Sequence, residues 1–202
     1  MAMSIGHAIR SAVLGMPTLV TGGVPKVRAG DARLSYANWD VPESLSVSSD
    51  AFNEGQPIPA QYSSGGRNIS PPLKWSGVPA DARSLVLIVE DPDAPTPNPF
   101  VHWLVYNIPA DVSHLDEATP PGQTAQGSMP FSQGKHSMLQ TGYTGAAPPK
   151  GDTPHHYHFQ LYALDRMLDL PPGAGRSALI KAMDGHVLAK GRTIGTFERK
   201  EG

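Results

Sequence analysis

Apolar positions in this chain come in short runs that stop at proline- and glycine-rich stretches. Residues 45–48, 84–90, 103–108, 157–164 and 193–198 each hold enough apolar or alternating positions for one strand and too few for a long helix. In 157–164, Tyr157, Phe159, Leu161 and Ala163 alternate with His158, Gln160, Tyr162 and Leu164, the period-two pattern of a strand. The unbroken run Leu85-Val86-Leu87-Ile88-Val89 predicts a buried strand. The pattern as a whole predicts a mainly β domain, a sandwich of two antiparallel sheets packed face to face. Thirteen of the 21 prolines lie between Pro92 and Pro172, which excludes long helices there. Just beyond, residues 177–189 put Leu179, Ala182, Met183 and Val187 on one helical face. A late amphipathic helix laid against the sandwich is expected, although Gly185 weakens it.

Ahead of the sandwich, residues 4–16 place Ile5, Ala8, Ile9, Ala12 and Val13 at helical spacing, with Ser4 as N-cap and Pro17 as stop. This N-terminal helical extension is marginal alone, so it docks either on its own domain or on a second subunit. Residues 18–43, rich in Gly, Pro and Ala, read as an irregular connector. The expected organisation is a leader at 1–44 and one sandwich domain at 45–202, since 202 residues suffice for one sizeable core.

Composition narrows the function classes. The formal net charge is −2 with scattered Lys and Arg, so a nucleic-acid partner is not expected. No apolar run approaches the roughly 20 residues of a membrane span. The absence of cysteine removes disulfides, thiolate metal ligands and cysteine nucleophiles. Residues 1–23 carry one basic residue, Arg10, and Pro17 interrupts their apolar part, a poor secretory signal. Cytoplasmic residence is the expectation.

The chemistry concentrates in two stretches. Asp91-Pro92-Asp93-Ala94-Pro95 follows the most apolar strand, which delivers Asp91 to one end of a sheet on a loop stiffened by Pro92, Pro95, Pro97 and Pro99. There Asp91 is either a partly desolvated functional carboxylate or a turn cap. If the segment is extended, Asp91 and Asp93 point to opposite sides and share no dyad, leaving Asp93 to order the loop. His102 opens the next strand-like run, as a site residue or as a core histidine bonded to a carbonyl. In His155-His156-Tyr157-His158, His155 and Tyr157 share one strand face, and His156 and His158 the other.

Several ordered segments resemble the phosphatidylethanolamine-binding protein family, in particular its bacterial, Raf-kinase-inhibitor-like branch. They are Ile69-Ser70-Pro71-Pro72-Leu73-Lys74-Trp75, the Asp91–Pro95 run, Val101-His102-Trp103, Gly142-Tyr143-Thr144-Gly145-Ala146-Ala147-Pro148-Pro149, His155-His156-Tyr157 and Gly195-Thr196-Phe197-Glu198-Arg199. The resemblance covers about residues 45–199. It implies a metal-free pocket with no cofactor, lined by Asp91, His102, His155 and Tyr157, with Pro95 and Pro149 shaping its wall. A metal site built from Asp91, His102 and His155 is therefore not expected. Gly145 and the Pro148-Pro149 pair read as a backbone cradle of N–H donors for an oxyanion. Ala147 departs from the family's Gly or Cys there, and a positive φ at Ala147 would be costly. The resemblance also implies cis bonds at Ala94–Pro95 and Asn98–Pro99, a homodimer, and a chain without the C-terminal helix that closes the pocket in eukaryotic relatives.

The expected function is binding of a small oxyanion or phosphoryl headgroup, as a metabolite sensor or an inhibitor of a partner kinase or protease, without catalysis. The alternative is a phosphoester hydrolase using Asp91 and His102 as acid and base. Against it stands the absence of any nucleophile motif or phosphate loop.

Overall fold

The computed structural model describes residues 27–121 and 131–200. Among these residues the strands are β1 (Ser46–Ser48), β2 (Leu73–Ser76), β3 (Ser84–Asp91), β4 (Phe100–Pro109), β5 (His114–Leu115), β6 (Ser132–Gln133), β7 (His155–Leu164) and β8 (Val187–Phe197), with one α-helix, α1 (Arg176–Met183). They form two antiparallel sheets, ordered β1-β2-β5 and β6-β4-β3-β7-β8. The fold is mostly β, as the alternation of short apolar runs and turns requires.

Strand β3 is central because both its faces are apolar, and all eight of its residues are buried. Leu85, Leu87 and Val89 join Trp75, Trp103 and Phe159 in the cluster between the sheets. Val86 and Ile88 join Leu104, Tyr162 and Leu179 in a second cluster on the outer face.

That outer face explains a departure from the expected connector. The described part of residues 18–43 forms two short 3-10 turns, Asp31–Arg33 and Ser35–Asn38, and buries Leu34, Tyr36 and Trp39 on the five-stranded sheet. The smaller sheet covers only one side of the larger one, so these residues shield apolar surface that would otherwise meet water. A buried carboxylate secures them. Glu90 accepts the Ser35 N–H at 2.8 Å, the Ser35 hydroxyl at 2.9 Å, the Gln160 amide at 2.8 Å and the Arg176 guanidinium.

The late helix is shorter than its apolar face suggested. It ends at Met183; Gly185, at φ 76°, turns the chain, and Val187 begins β8 instead of a further helical turn. The helix expected at residues 4–16 lies outside the described residues. No helix among the described residues is long and apolar enough to cross a membrane.

Candidate functional site

A cavity of about 510 Å³ opens where β3 ends and β4 and β7 begin. Seven of the residues expected at the site line it: Asp91, Pro95, His102, Gly145, Ala147, Pro149 and His155. Tyr157 is buried beside them, its ring edge-on to His102 at 5.0 Å between centroids. The wall also takes Ser64, Asn68, Thr96, Phe100, Met138, Gln140 and Thr144, which sequence reasoning did not nominate.

His102 reaches the site through a register slip. Val89 pairs with Trp103 and Glu90 with Val101, so β4 carries one extra residue, His102, opposite β3. Such a bulge re-aims a side chain. Val101 packs in the outer cluster and Trp103 in the inner one, and His102 meets Tyr157 edge-on on the inner side. Its Nδ1 lies 2.8 Å from the Thr144 carbonyl. A carbonyl only accepts, so Nδ1 carries the proton and Nε2 presents a lone pair. Burial holds the His102 pKa below the ordinary histidine value.

Asp91 caps the turn and also lines the cavity. Its Oδ1 accepts the N–H groups of Asp93 at 2.8 Å and Ala94 at 3.1 Å, capping the turn. Its Oδ2 accepts the Nδ1–H of His155 at 2.8 Å. Asp91 and His102, weighed as acid and base for a hydrolase, bond His155 and Thr144 and not each other. Asp93 turns the other way and accepts the backbone and ring N–H groups of His156 at 2.9 and 2.8 Å. The strand period therefore sorts two Asp–His pairs onto opposite sides.

Burial alone would lower the His155 pKa, but the hydrogen bond and charge of Asp91, with Asp93 and Asp152 adding, raise it. Its Nε2 is buried without a hydrogen-bond partner, and the nearest carboxylate oxygen, on Asp152, is 3.6 Å away. The Tyr157 hydroxyl is also buried and unbonded. Burial, with the charge of Asp91, pushes its phenol well up, so it remains a proton donor at any physiological pH.

Two expectations are corrected here. The Gly145 N–H is not a free donor, since it bonds Asn68 Oδ1 at 2.7 Å. Glycine is required at 145 by crowding: a side chain would run into the backbone of Tyr62 and Ser63. Ala147 does not adopt a positive φ. Likewise, every peptide bond among the described residues is trans, Ala94–Pro95 and Asn98–Pro99 included. The loop turns by other means: Asp91 gathers two N–H groups, and the Thr96 N–H donates to the Ala94 carbonyl at 2.7 Å across Pro95. The fixed φ of proline suits that three-residue turn. Among the described residues, no group of three or more His, Asp or Glu side chains is placed to hold a metal ion.

Comparison with known proteins agrees with this architecture. The family model described as phosphatidylethanolamine-binding protein matches residues 48–198, and the chain belongs to that family. It is 45% identical over 156 residues to a UPF0098 protein of Methanothermobacter thermautotrophicus, covering 77% of this chain and 99% of the relative. The crystal structure of a phosphatidylethanolamine-binding protein homologue from Chlamydia trachomatis superposes with a TM-score of 0.69 at 40% identity, covering 78% of this chain and 99% of that one. YbcL of E. coli, described as a member of the mammalian PEBP family, gives 0.69 at 32% identity over 77% and 98% of the two chains.

Proposed function

We propose that this chain binds a small oxyanion, above all a phosphoryl group, in the cavity at Asp91, His102, His155 and Tyr157, and performs no reaction on it. The observation that carries this reading is the pair of buried, unbonded polar atoms, His155 Nε2 and the Tyr157 hydroxyl. Leaving such groups unpaired costs about 1–3 kcal/mol each, and a guest with acceptor oxygens recovers that cost. His155, its Nδ1–H engaged by Asp91, has a donor left at Nε2 once protonated, and the phenol of Tyr157 is a second donor. His102 offers a lone pair for a proton retained by the guest. Two donors and one acceptor suit a phosphoryl monoanion. Apolar residues such as Phe100, Met138 and Pro148 leave room for an organic substituent. The family name points the same way, since a phosphatidylethanolamine headgroup carries a phosphoryl group. A role as sensor, or as inhibitor of a kinase or protease, would build on that occupancy.

The test is calorimetric titration with inorganic phosphate. The raised His155 pKa keeps the Nε2–H donor present below that pKa, and the donor is lost as pH rises through it. Affinity should therefore be greater at about pH 6 than at about pH 8.5, on either side of the ordinary histidine range. Equal affinity at both, or no binding at either, contradicts the proposal.

The homodimer belongs to the same reading and rests on the apolar stripe in residues 4–16. Light scattering should give a dimer mass for the full chain and a monomer mass after deletion of residues 1–26, which spares the Ser35–Glu90 clamp. A monomeric full chain would refute it.

A further inference from the structure

The donors and the acceptor assigned to a phosphoryl group come from His102, His155 and Tyr157, yet the cavity measures about 510 Å³ and takes its wall from several loops besides. A phosphoryl group fills a fraction of that space, so the remaining wall decides what the phosphoryl group carries.

Much of that wall is hydrocarbon. Ala94 and Pro95 come from the loop after β3, Phe100 from the start of β4, Met138 from the loop after β6, and Pro148 and Pro149 from the segment before β7. The Phe100 ring meets the His102 ring at 4.8 Å between centroids, so the apolar wall adjoins the phosphoryl site directly. Met138 is placed by a tight hairpin in which Lys135 pairs with Thr141, the His136 N–H donates to the Gln140 carbonyl at 3.0 Å, and the Leu139 N–H donates to the His136 carbonyl at 2.8 Å. The hairpin is pinned to β4 next to Phe100. The Ser137 N–H donates to the Val101 carbonyl at 3.0 Å, and the Val101 N–H to the Ser137 hydroxyl at 2.8 Å. Within it the Met138 N–H donates to His136 Nδ1 at 3.1 Å, and Leu139 takes a φ of 64°, uncommon for a side chain of its size. The Met138 side chain is fixed at its backbone and adaptable beyond it, and it stays 62% exposed. A hydrocarbon guest would remove that surface from water.

Free charge is what this wall lacks. Asp91, His102 and His155 are the ionisable groups among its described residues, and both oxygens of Asp91 are engaged, by the Asp93 and Ala94 N–H groups and by His155. Asp93 and Asp152 also act on His155, but neither lines the cavity: Asp93 accepts from His156, and Asp152 accepts from Arg28 at 2.7 Å. Two neutral acceptors are committed as well, Asn68 Oδ1 to the Gly145 N–H and the Thr144 carbonyl to His102. Ser64 and Gln140 are exposed and uncharged, and serve a cation no better than water does. The Phe100 ring offers an ammonium a weak cation–π contact, which does not offset the hydration lost by an unpaired cation. Protonated His155, which the phosphoryl group needs, repels it further.

We infer that the guest is a phosphomonoester whose organic group is an uncharged hydrocarbon lying against Phe100 and Met138, and that the pocket discriminates against a phosphoryl group carrying an ammonium. The inference rests on the phosphoryl-binding reading of the same site and narrows it to a ligand class.

The experiment is calorimetric titration of the full chain at about pH 6, within the ordinary histidine range, with methyl phosphate, propyl phosphate and phosphoethanolamine. The last two have the same shape and differ in a terminal methyl against an ammonium. One buried CH₂ group is worth about a factor of four, so the two further carbons should make propyl phosphate bind about five- to fifteenfold tighter than methyl phosphate. Phosphoethanolamine should bind no tighter than methyl phosphate. Met138→Ala and Phe100→Ala should each cut the propyl-to-methyl ratio to about half or less. Any damage to the phosphoryl site itself weakens both esters alike and cancels in that ratio, and the exposed Met138 can be truncated without opening the core. Methyl phosphate binding with propyl phosphate no tighter, phosphoethanolamine equal to propyl phosphate, or a ratio that survives both substitutions overturns the inference and leaves phosphoryl binding standing. Failure of all three compounds to bind overturns the functional reading and this inference together.

Discussion

Replacing Arg176 with methionine is expected to lower the free energy of unfolding by about 3 kcal/mol, the lower end of what loss of one partner costs a buried ion pair. Glu90 is fully buried, and Arg176 is its cationic partner. The Ser35 and Gln160 hydrogen bonds remain in the variant, and the guanidinium is partly exposed, so the cost falls short of a full stranded charge. Arg176 also donates to the Arg33 carbonyl at 2.9 Å, so the variant loosens the leader's grip on the sheet as well. Urea unfolding of the two proteins measures the difference. A loss below about 1 kcal/mol would place this contact among ordinary surface pairs and remove its claim to hold the leader.

Phosphate affinity is expected to fall by about 10- to 100-fold in His155→Ala, the equivalent of one charge-assisted hydrogen bond of about 1.5–3 kcal/mol. The substitution removes the donor at Nε2 and leaves Asp91 Oδ2 without its ring partner, so that the carboxylate also turns more repulsive toward an anion. His102→Ala should cost less, because His102 contributes an acceptor, which an alternative guest orientation can forgo. Calorimetry on the folded variants, with near-UV circular dichroism to confirm packing, separates binding from folding. Undiminished affinity in folded His155→Ala would end the assignment of this pocket.

Most of the strands were legible because their apolar patterns are strong. The run at 85–89 is buried on both faces, and the alternation at 157–164 sends Phe159 and Leu161 to one cluster and Tyr162 and Leu164 to the other. Strand β2 lies in a segment that carries a family motif and no strand signal of its own, although Leu73 and Trp75 are buried and Lys74 and Ser76 exposed in strict alternation. Four residues between prolines and a glycine give too little length for a periodic signal. The described part of the leader, read as a connector, hides Leu34, Tyr36 and Trp39 in aperiodic 3-10 turns, and their role becomes visible only against the sheet they cover. At the site, Asp91, His102, His155 and Tyr157 do converge, an expectation that the family resemblance carried. The bulge at His102 has no marker in the sequence, since it arises from pairing with a strand already formed. Glu90, Arg28 and Asp152 went unremarked for a similar reason, because their partners lie far along the chain. The Gly145 donor failed because Asn68, itself at φ 55°, supplies a side-chain acceptor that no local pattern announces.

The bond between Asp91 and His155 spans 64 residues of chain. It can form only when β3 has found β7, and closing a loop of that length is an entropic barrier met before any native contact repays it. A chain emerging from the ribosome therefore has no pocket until β7 has cleared the exit, however well its first half collapses. During refolding, the His155 ring should reach its native magnetic environment together with the centre of the large sheet. The pocket is then a late and all-or-none acquisition, and a ligand of this site would slow unfolding by bridging strands that separate when the sheet opens.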